Sequence, residues 1–396
     1  MVVKRGLRNA TFYLATSLEA DVVYILSMKD TIAQSEVYKA LYCLGFTYKC
    51  LTLTWAFLAA RHLAEPRSIG VLQDILGAMQ EAVSEERDAF VWMEEATRNK
   101  TAAALSKLSV HVIAGKAFNV TSVDYNKPDV KLDVDENFLK VLVTALKLHH
   151  SVMSAKPPTR VEMLVSELEF RGALSLIPIM EYIVVPTLYQ RDPYLYNYHV
   201  PDYFNYGTMG GLLGAQLAET VGVAVNDDRQ STWDPATATK HGELLRCLTE
   251  RRRHLGFPDF HPATADQQQT QMVTLSISAR LAYSGLKRVF RRKGLQSLEP
   301  PILKLSNISL TLLVTSDCVS LRVFSQSRTV KVFNDYWPEA LRVFFSRFCL
   351  LWCSGSQAAD PLTAREKCVL PLYNMEEFAE LYNCDANSTG GAVCPT

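Results

Sequence analysis

The residues able to do metal or nucleophilic chemistry are eight histidines and nine cysteines, and their spacing fits no common catalytic motif. No two histidines stand four residues apart on a predicted helix, so an HExxH zinc pattern is missing. His149 and His150 are adjacent and point in different directions, while His254 and His261 flank Pro258 and form only a weak metal pair. The cysteines form no CxxC pair, and no G-x-S-x-G serine elbow occurs. We therefore predict each histidine to be an ordinary core or surface residue.

Residues 207–214, GTMGGLLG, have the glycine content of a phosphate-binding loop. A Walker loop ends in Gly-Lys-Ser/Thr so that its lysine reaches the phosphates, whereas Leu212 and Leu213 follow here. Small residues that allow close helix packing are the better explanation. Cys349 and Cys353 stand four residues apart and could share one helix face for a metal, but the surrounding aromatic side chains favour burial.

Two basic clusters, residues 251–253 and 287–293, end predicted helices. We interpret both as solvated helix ends, where cations interact favourably with the helix dipole. Lys+Arg and Asp+Glu are both 41, so the net charge is zero. A general nucleic-acid binder is usually basic, and we therefore predict no nucleic-acid partner.

The elements that position these residues are mainly helices. Apolar spacing predicts helices over residues 33–62, 68–90, 92–108, 136–153, 207–222, 235–253, 272–292 and 338–353. Residues 182–186, YIVVP, are the strand prediction, and residues 258–271 are predicted to be a polar loop. The most apolar window, residues 37–60, contains Lys39 and Lys49, which argues against a membrane span in this chain.

Five N-x-S/T sequons favour an extracellular origin, since chance predicts about two. The N-terminus lacks the apolar core of a signal peptide, which taken alone favours the cytosol. Chance sequons together with buried thiols are the alternative interpretation. The candidate glycosylation sites are Asn9, Asn99, Asn119, Asn307 and Asn387.

Seven segments, taken in order, carry a family resemblance over roughly residues 85–396. They are WMEEATR at 92–98, residues 125–139 ending in DENFL, IVVP at 183–186, NYGTMGGLLG at 205–214, the interval from Trp233 to Cys247, FFSRFCLLWC at 344–353, and EF at 377–378 followed by Cys384 and Cys394. Together they resemble the neprilysin and endothelin-converting-enzyme family of zinc metallopeptidases.

The resemblance implies a mainly α fold with a small mixed β-sheet and two lobes, similar to the C-terminal two thirds of the neprilysin ectodomain. Residues 1–155 would be a remnant of the N-terminal peptidase region, and residues 160–396 the thermolysin-like C-terminal region. It also implies a disulfide between Cys247 and Cys394, while Cys353 and Cys384 match positions whose family partners are missing. Five cysteines stay unassigned: Cys43, Cys50, Cys318, Cys349 and Cys368.

The family's chemistry needs one Zn²⁺ held by two histidines and a glutamate, a glutamate base inside HExxH, and a histidine with an arginine that stabilise the transition state. At the matching positions this chain has other residues. The metal positions are Ala215, Glu219 and Gln271, the base position is Gln216, the acid supporting the third ligand is Leu275, the stabilising histidine is Leu362 and the arginine is Cys368. Glutamine does not accept a proton near neutral pH, and a lone carboxylate does not hold zinc selectively.

We therefore hypothesise a catalytically inactive homologue of a neprilysin-like zinc metalloendopeptidase, kept as a peptide-binding or protein-interaction module. One alternative is a divergent metalloendopeptidase that cleaves extracellular peptides through a rebuilt site. A second is a truncated remnant without activity. The leading hypothesis implies no cofactor, extracellular peptides or proteins as partners, and an extracellular or cell-surface origin.

Overall fold

The structure is a computed structural model that describes residues 56, 65, 67–85, 90–112, 144, 147, 159–197, 200–226, 233–293, 337–353, 361–384 and 393–395. The chain divides into two compact units, Met1–His62 with Gly115–Arg171, and Leu63–Ala114 with Gly172–Thr396. The helices predicted at 33–62 and 136–153 lie outside the described residues, except that Ala56, Thr144 and Lys147 are helical. The two lobes and the boundary between residues 155 and 160 stay predictions.

The described chain is mostly helical with a small mixed sheet, which confirms the predicted fold class. The helices are α1 (Ser68–Glu85), α2 (Glu95–Leu105), α3 (Arg160–Arg171), α4 (Asp202–Asn205), α5 (Gly211–Asn226), α6 (Pro235–His254), α7 (Ala265–Arg292), α8 (Trp337–Leu350), α9 (Ala364–Tyr373) and α10 (Glu376–Leu381). A π-helical turn, Tyr206–Gly210, joins α4 to α5. The strands are β1 (Ser109–Val112), β2 (Ser175–Ile177) and β3 (Tyr182–Val185). Helix α3 is the described helix of the first unit, and the other elements belong to the second.

The sheet has the strand order β1-β3-β2, with β1 parallel and β2 antiparallel to β3. The central strand β3 is the strand predicted at 182–186. Its residues Ile183, Val184 and Val185 are fully buried, as a β-branched run in a covered central strand should be. Strand β2 is an edge strand, so part of its backbone must find hydrogen-bond partners outside the sheet.

Helix α6 begins at a polar cap that also holds helix α2. Asp234 accepts hydrogen bonds from the backbone N–H and the hydroxyl of Thr237, both at 2.8 Å, and from the hydroxyl of Thr97 at 2.5 Å. These bonds, the one from Thr97 first, lower the pKa of Asp234 to about 2. The cap therefore satisfies free N–H groups of α6 and fixes where α2 lies.

The glycine-rich segment is helical throughout, as the π-helical turn Tyr206–Gly210 followed by α5. A Cβ on Gly207 would lie 2.6 Å from the carbonyl oxygen of Phe344 on α8. A Cβ on Gly214 would lie 2.8 Å from the carbonyl oxygen of Ser278 on α7. The glycines thus let helix backbones approach closely, as the packing interpretation of this segment expected.

Helix α7 starts at Ala265, seven residues before the predicted start, so the loop predicted at 258–271 is wrong over its second half. The polar composition of this stretch hides a buried contact. Gln268 is buried, its amide donates to the carbonyl of Pro361 at 2.7 Å, and its oxygen accepts from the N–H of His261 at 3.0 Å. A glutamine with long-range partners can occupy a buried helix position.

The interpretation of residues 251–253 as a solvated helix end is wrong for two of the three arginines. Arg251 and Arg252 are buried, and only Arg253 is exposed. Arg252 donates to Glu366 on α9 through Nε at 2.9 Å and Nη2 at 2.6 Å. Arg251 donates to the backbone carbonyl of Tyr373. The pair of buried arginines therefore ties the end of α6 to α9.

The second basic cluster, 287–293, lies half-buried to exposed at the end of α7 and is partly paired. Arg288 donates to Glu81 of α1 at 2.6 Å, and Arg292 forms an ion pair with the same carboxylate. Lys293 pairs with Asp202 of α4 at 2.5 Å. These cations bridge helices in addition to interacting with the dipole of their own helix.

Disulfides link distant parts of the second unit. Cys247 on α6 is bonded to Cys394, whose backbone also makes two hydrogen bonds with the side chain of Asn374. Cys349 on α8 is bonded to Cys368 on α9. Cys353 is disulfide-bonded too, which corrects both its expected lack of a partner and the interpretation of these helix cysteines as buried thiols. In the part of the chain that the structure describes, no helix is both long and apolar enough to cross a membrane.

We predict that Gly207→Ala lowers the free energy of unfolding by about 1–3 kcal/mol, because the added methyl group meets the backbone of α8. The matched control is Gly242→Ala on α6, where no atom lies within 4 Å of the added carbon. That control should raise stability by about 0.5–1 kcal/mol through helix propensity. Urea denaturation measures both, and equal effects would contradict the close approach of the two helices.

We predict that Glu366→Gln lowers the free energy of unfolding by about 3–5 kcal/mol, since it leaves the buried Arg252 without its counter-charge. The control is Arg253→Gln, which breaks the exposed ion pair with Asp259 and should change stability by less than about 1 kcal/mol. Thermal and urea denaturation of both variants give the comparison. A loss below that of the control would mean that the ion pair does not hold α6 to α9.

Candidate functional site

Helices α5 and α7 carry most of the positions that the resemblance assigns to the metal and the base. The two helices meet where the Ser278 hydroxyl donates to the carbonyl of Gly211 at 2.5 Å. Ala215, Gln216 and Glu219 follow this contact on α5, while Gln271 and Leu275 lie one to two turns before Ser278 on α7. The close packing therefore fixes the backbone of the candidate site.

Gln216, at the position of the base, is buried, and its amide oxygen is engaged. That oxygen accepts a hydrogen bond from the backbone N–H of Leu176 on the edge strand β2, at 2.6 Å. The side chain also lies near the carboxylate of Glu219 and acts to lower the pKa of that carboxyl. Gln216 thus joins the sheet edge to α5 and has no basic site of its own.

Glu219, at a metal position, is the carboxylate of this group. Its side chain reaches solvent, yet nearby protein raises the pKa of the carboxyl above its ordinary value by desolvation. The hydrogen bond from Gln216 acts in the opposite direction and is the smaller effect. Because part of the carboxylate is hydrated, the resulting change in stability should be small.

The other assigned positions are apolar or amide-bearing. Gln271 is half-buried, and its amide oxygen has no hydrogen-bond partner. Leu275 and Leu362 are buried members of the hydrophobic core. Gln268 holds the backbone at Pro361, next to Leu362, against α7. Leucines at these places fill space and supply no proton or ligand.

Cys368, at the position of the family's arginine, is bonded to Cys349 and therefore has no free thiolate. The sequence pattern assigned no partner to either cysteine. Their separation of 19 residues spans the end of α8 and the start of α9, where no CxxC-type spacing signals a pair. A disulfide at this position is structural and carries no positive charge for a transition state.

These residues do not fit the family's zinc. Zinc in proteins takes three or four ligands from histidine, cysteine and carboxylates, whereas Ala215 has no donor atom and the oxygen of Gln216 is already engaged. Glu219 is left with the amide oxygen of Gln271, and two oxygen ligands do not make a selective zinc site. Across the described ranges, no three His, Cys, Asp or Glu side chains gather in a metal-binding group.

The described histidines belong to no metal-binding group of His, Cys, Asp or Glu side chains within the described residues. His111 lies on β1 and His241 on α6, and burial lowers the pKa of each imidazole. His254 and His261 are exposed near the end of α6. The nitrogen Nδ1 of His261 accepts a hydrogen bond from the backbone of Ala263, which is a local loop contact.

The sequence did not predict an aromatic cluster beside α5. The rings of Trp92, Trp233 and His241 lie with their centroids 5.1 to 5.2 Å apart, and all three line a cavity against α5 and α7. The tryptophans stand 141 positions apart and their only sequence signal was membership of the family-like segments. Contacts between such distant segments are not readable from local spacing.

Solved structures of zinc metalloproteases share this fold. Zmp1 of Mycobacterium tuberculosis in complex with an inhibitor is 15% identical, with a TM-score of 0.53 over 90% of this chain and 50% of that chain. The open state of Zmp1 is 16% identical, with a TM-score of 0.55 over 90% and 52%. PepO from Lactobacillus rhamnosis HN001 is 13% identical, with a TM-score of 0.51 over 90% and 50%.

This likeness shows a neprilysin-like fold, and the chain spans about half the length of these structures. No protein-family model and no curated protein matches the sequence. The likeness therefore concerns the fold and says nothing about the chemistry of the candidate site.

We predict that Glu219→Gln removes the small destabilisation that the ionised Glu219 carboxylate contributes at neutral pH. The folded-state pKa is raised, so Glu219 destabilises the fold once the pH passes from the unfolded value through the folded value. The variant should equal the wild type at pH 3.5 and be more stable at pH 8. Urea denaturation at the two pH values tests this, and Glu243→Gln, an exposed glutamate on α6, is the control. The same pH dependence in all three proteins would contradict the raised pKa.

Proposed function

We propose that this chain is a catalytically inactive homologue of a neprilysin-like zinc metalloendopeptidase and acts as a peptide-binding or protein-interaction module. The observation that carries the proposal is the place of Gln216. Its amide oxygen accepts a hydrogen bond from the backbone N–H of Leu176 at 2.6 Å. A buried side chain committed to this bond at the base position supports a structural role.

The chemistry of the amide supports the same conclusion. A general base must take up a proton near neutral pH, and a neutral amide does not. A glutamate at this position would also place a second carboxylate beside Glu219, whose pKa is already raised. The neutral glutamine avoids that repulsion and so stabilises the fold at this position, at the cost of a group that could act as a base.

The retained packing supports a module that still folds and binds. Leu275 and Leu362 occupy core positions in place of polar site residues, and the glycine contacts of α5 with α7 and α8 are intact. Apolar side chains that pack into the core therefore stand at positions where the family has polar site residues.

An extracellular setting for this module rests on its cysteines and sequons. Cys247–Cys394 and Cys349–Cys368 are disulfides, and such bonds persist in oxidising compartments. Asn99 is exposed on α2, within Asn-Lys-Thr, where a glycan has room. Four further sequons, at Asn9, Asn119, Asn307 and Asn387, lie outside the described residues.

The test is hydrolysis of a mixture of internally quenched peptides by the purified chain supplied with zinc. We expect no cleavage above the protein-free blank, with or without a chelator. Glu219→Gln and the matched surface variant Glu243→Gln should behave like the wild type.

A chelator-sensitive activity that is lost in Glu219→Gln and kept in Glu243→Gln would contradict the proposal and favour a divergent metalloendopeptidase. Cleavage that survives both substitutions and the chelator identifies a contaminating protease. Failure to enrich any sequence from a degenerate peptide library on the immobilised, disulfide-intact chain would contradict the peptide-binding part.

A further inference from the structure

A cavity of about 200 Å³ lies between helices α5, α6 and α7 and is separate from the positions assigned to the metal and the base. Ala218 and Val221 of α5 line it, together with Val273 and Ile277 of α7. An apolar cavity of about 150 Å³ in a protein binds benzene, so this one has room for one substituted ring.

One wall of the cavity is aromatic. The rings of Trp92, Trp233 and His241 contact one another at centroid distances of 5.1, 5.2 and 5.1 Å. At such separations the three rings leave no space for a guest between them, and their planes are inclined to one another by 56° to 62°. They therefore form an angled aromatic wall, with which the ring of a guest can make the same edge-to-face contacts that these rings make with one another.

The charge of the lining discriminates between ligands. Asp266, exposed in the first turn of α7, is the one acid among the described lining residues, and none of them is lysine or arginine. Burial lowers the pKa of His241, which keeps that ring neutral at physiological pH. The lining therefore attracts a cation and disfavours an anion.

We propose that this cavity binds one aromatic ring that carries a positively charged amino group. The ring lies against the Trp92–Trp233–His241 wall, and the amino group lies toward Asp266. A free aromatic amine has this chemistry. So does the N-terminal aromatic residue of a peptide, a source that rests on the proposed peptide-binding function.

The first experiment titrates the disulfide-intact 396-residue chain with three phenols that differ in charge, and follows binding by tryptophan fluorescence and by calorimetry. Tyramine is the cation, p-cresol is neutral, and 3-(4-hydroxyphenyl)propionate is the anion. We expect tyramine to bind at least about fivefold tighter than the propionate, the effect of one partly exposed ion pair.

Substitutions inside and outside the lining test whether the phenols bind in this cavity. Asp266→Asn should abolish the difference between tyramine and the propionate while p-cresol still binds. Thr270→Trp, an exposed lining position, should block all three phenols without touching the core. Asp259→Asn, an exposed carboxylate outside the lining, is the matched control and should bind like the wild type. No binding of any phenol, or a preference for tyramine that survives Asp266→Asn, would overturn the proposal.

Tripeptide amides distinguish the two sources of the ligand. Tyr-Ala-Ala should bind, whereas its N-acetyl form and Ala-Ala-Tyr should bind at least about fivefold more weakly, because the charge is missing or far from the ring. Tyramine binding without Tyr-Ala-Ala binding supports a free amine as ligand and rejects the peptide source. The hydrolysis test of the proposed function is independent of both results.

Discussion

Close contact between the glycine-rich helix and its two neighbours is the constraint on which the second unit depends. Gly207 leaves no space for a Cβ beside the backbone of α8, and Gly214 leaves none beside the backbone of α7. The hydroxyl of Ser278 adds a buried hydrogen bond to the carbonyl of Gly211. Helix α5 is therefore held in place by backbone contacts that require neither a metal nor a charged side chain.

This mode of attachment does not depend on the side chains at the positions that the resemblance assigns to the metal and the base. Once α5 is fixed, Gln216 lies within hydrogen-bond distance of the edge strand β2 and satisfies the N–H of Leu176. Glu219 next to it reaches solvent, and Leu275 on the facing helix packs into the core. Gln216 and Leu275, at two of the assigned positions, are thus part of the packed scaffold of the second unit.

The local spacing of apolar and polar residues correctly predicted those elements in which burial follows that spacing along the whole element. The apolar run 182–186 is the buried central strand, and the prediction for helix α6 differs from the structure by one residue at its end. The failures share one physical cause, which is a distant partner. Arg252 is buried because Glu366, 114 residues away, supplies the opposite charge, and Gln268 extends α7 because Pro361 accepts its hydrogen bond. Composition alone made both residues look solvated.

For the candidate site, too, the sequence predicted the helices but not the contacts between distant segments. The resemblance placed Gln216, Glu219 and Gln271 on two helices, and these helices do pack together. It did not reveal that Gln216 bonds to β2, that Cys368 pairs with Cys349, or that Trp92 and Trp233 meet His241 around a cavity. Each of these contacts joins segments far apart in sequence, and spacing within one segment carries no information about them.

The most direct test of catalytic inactivity is the zinc content of the purified, disulfide-intact chain after dialysis against trace zinc, measured by mass spectrometry. The degenerate positions predict far less than one zinc per chain, with no difference between the wild type and Glu219→Gln. About one zinc per chain that disappears in Glu219→Gln would contradict the inactive assignment, because it would require a rebuilt metal site at this carboxylate.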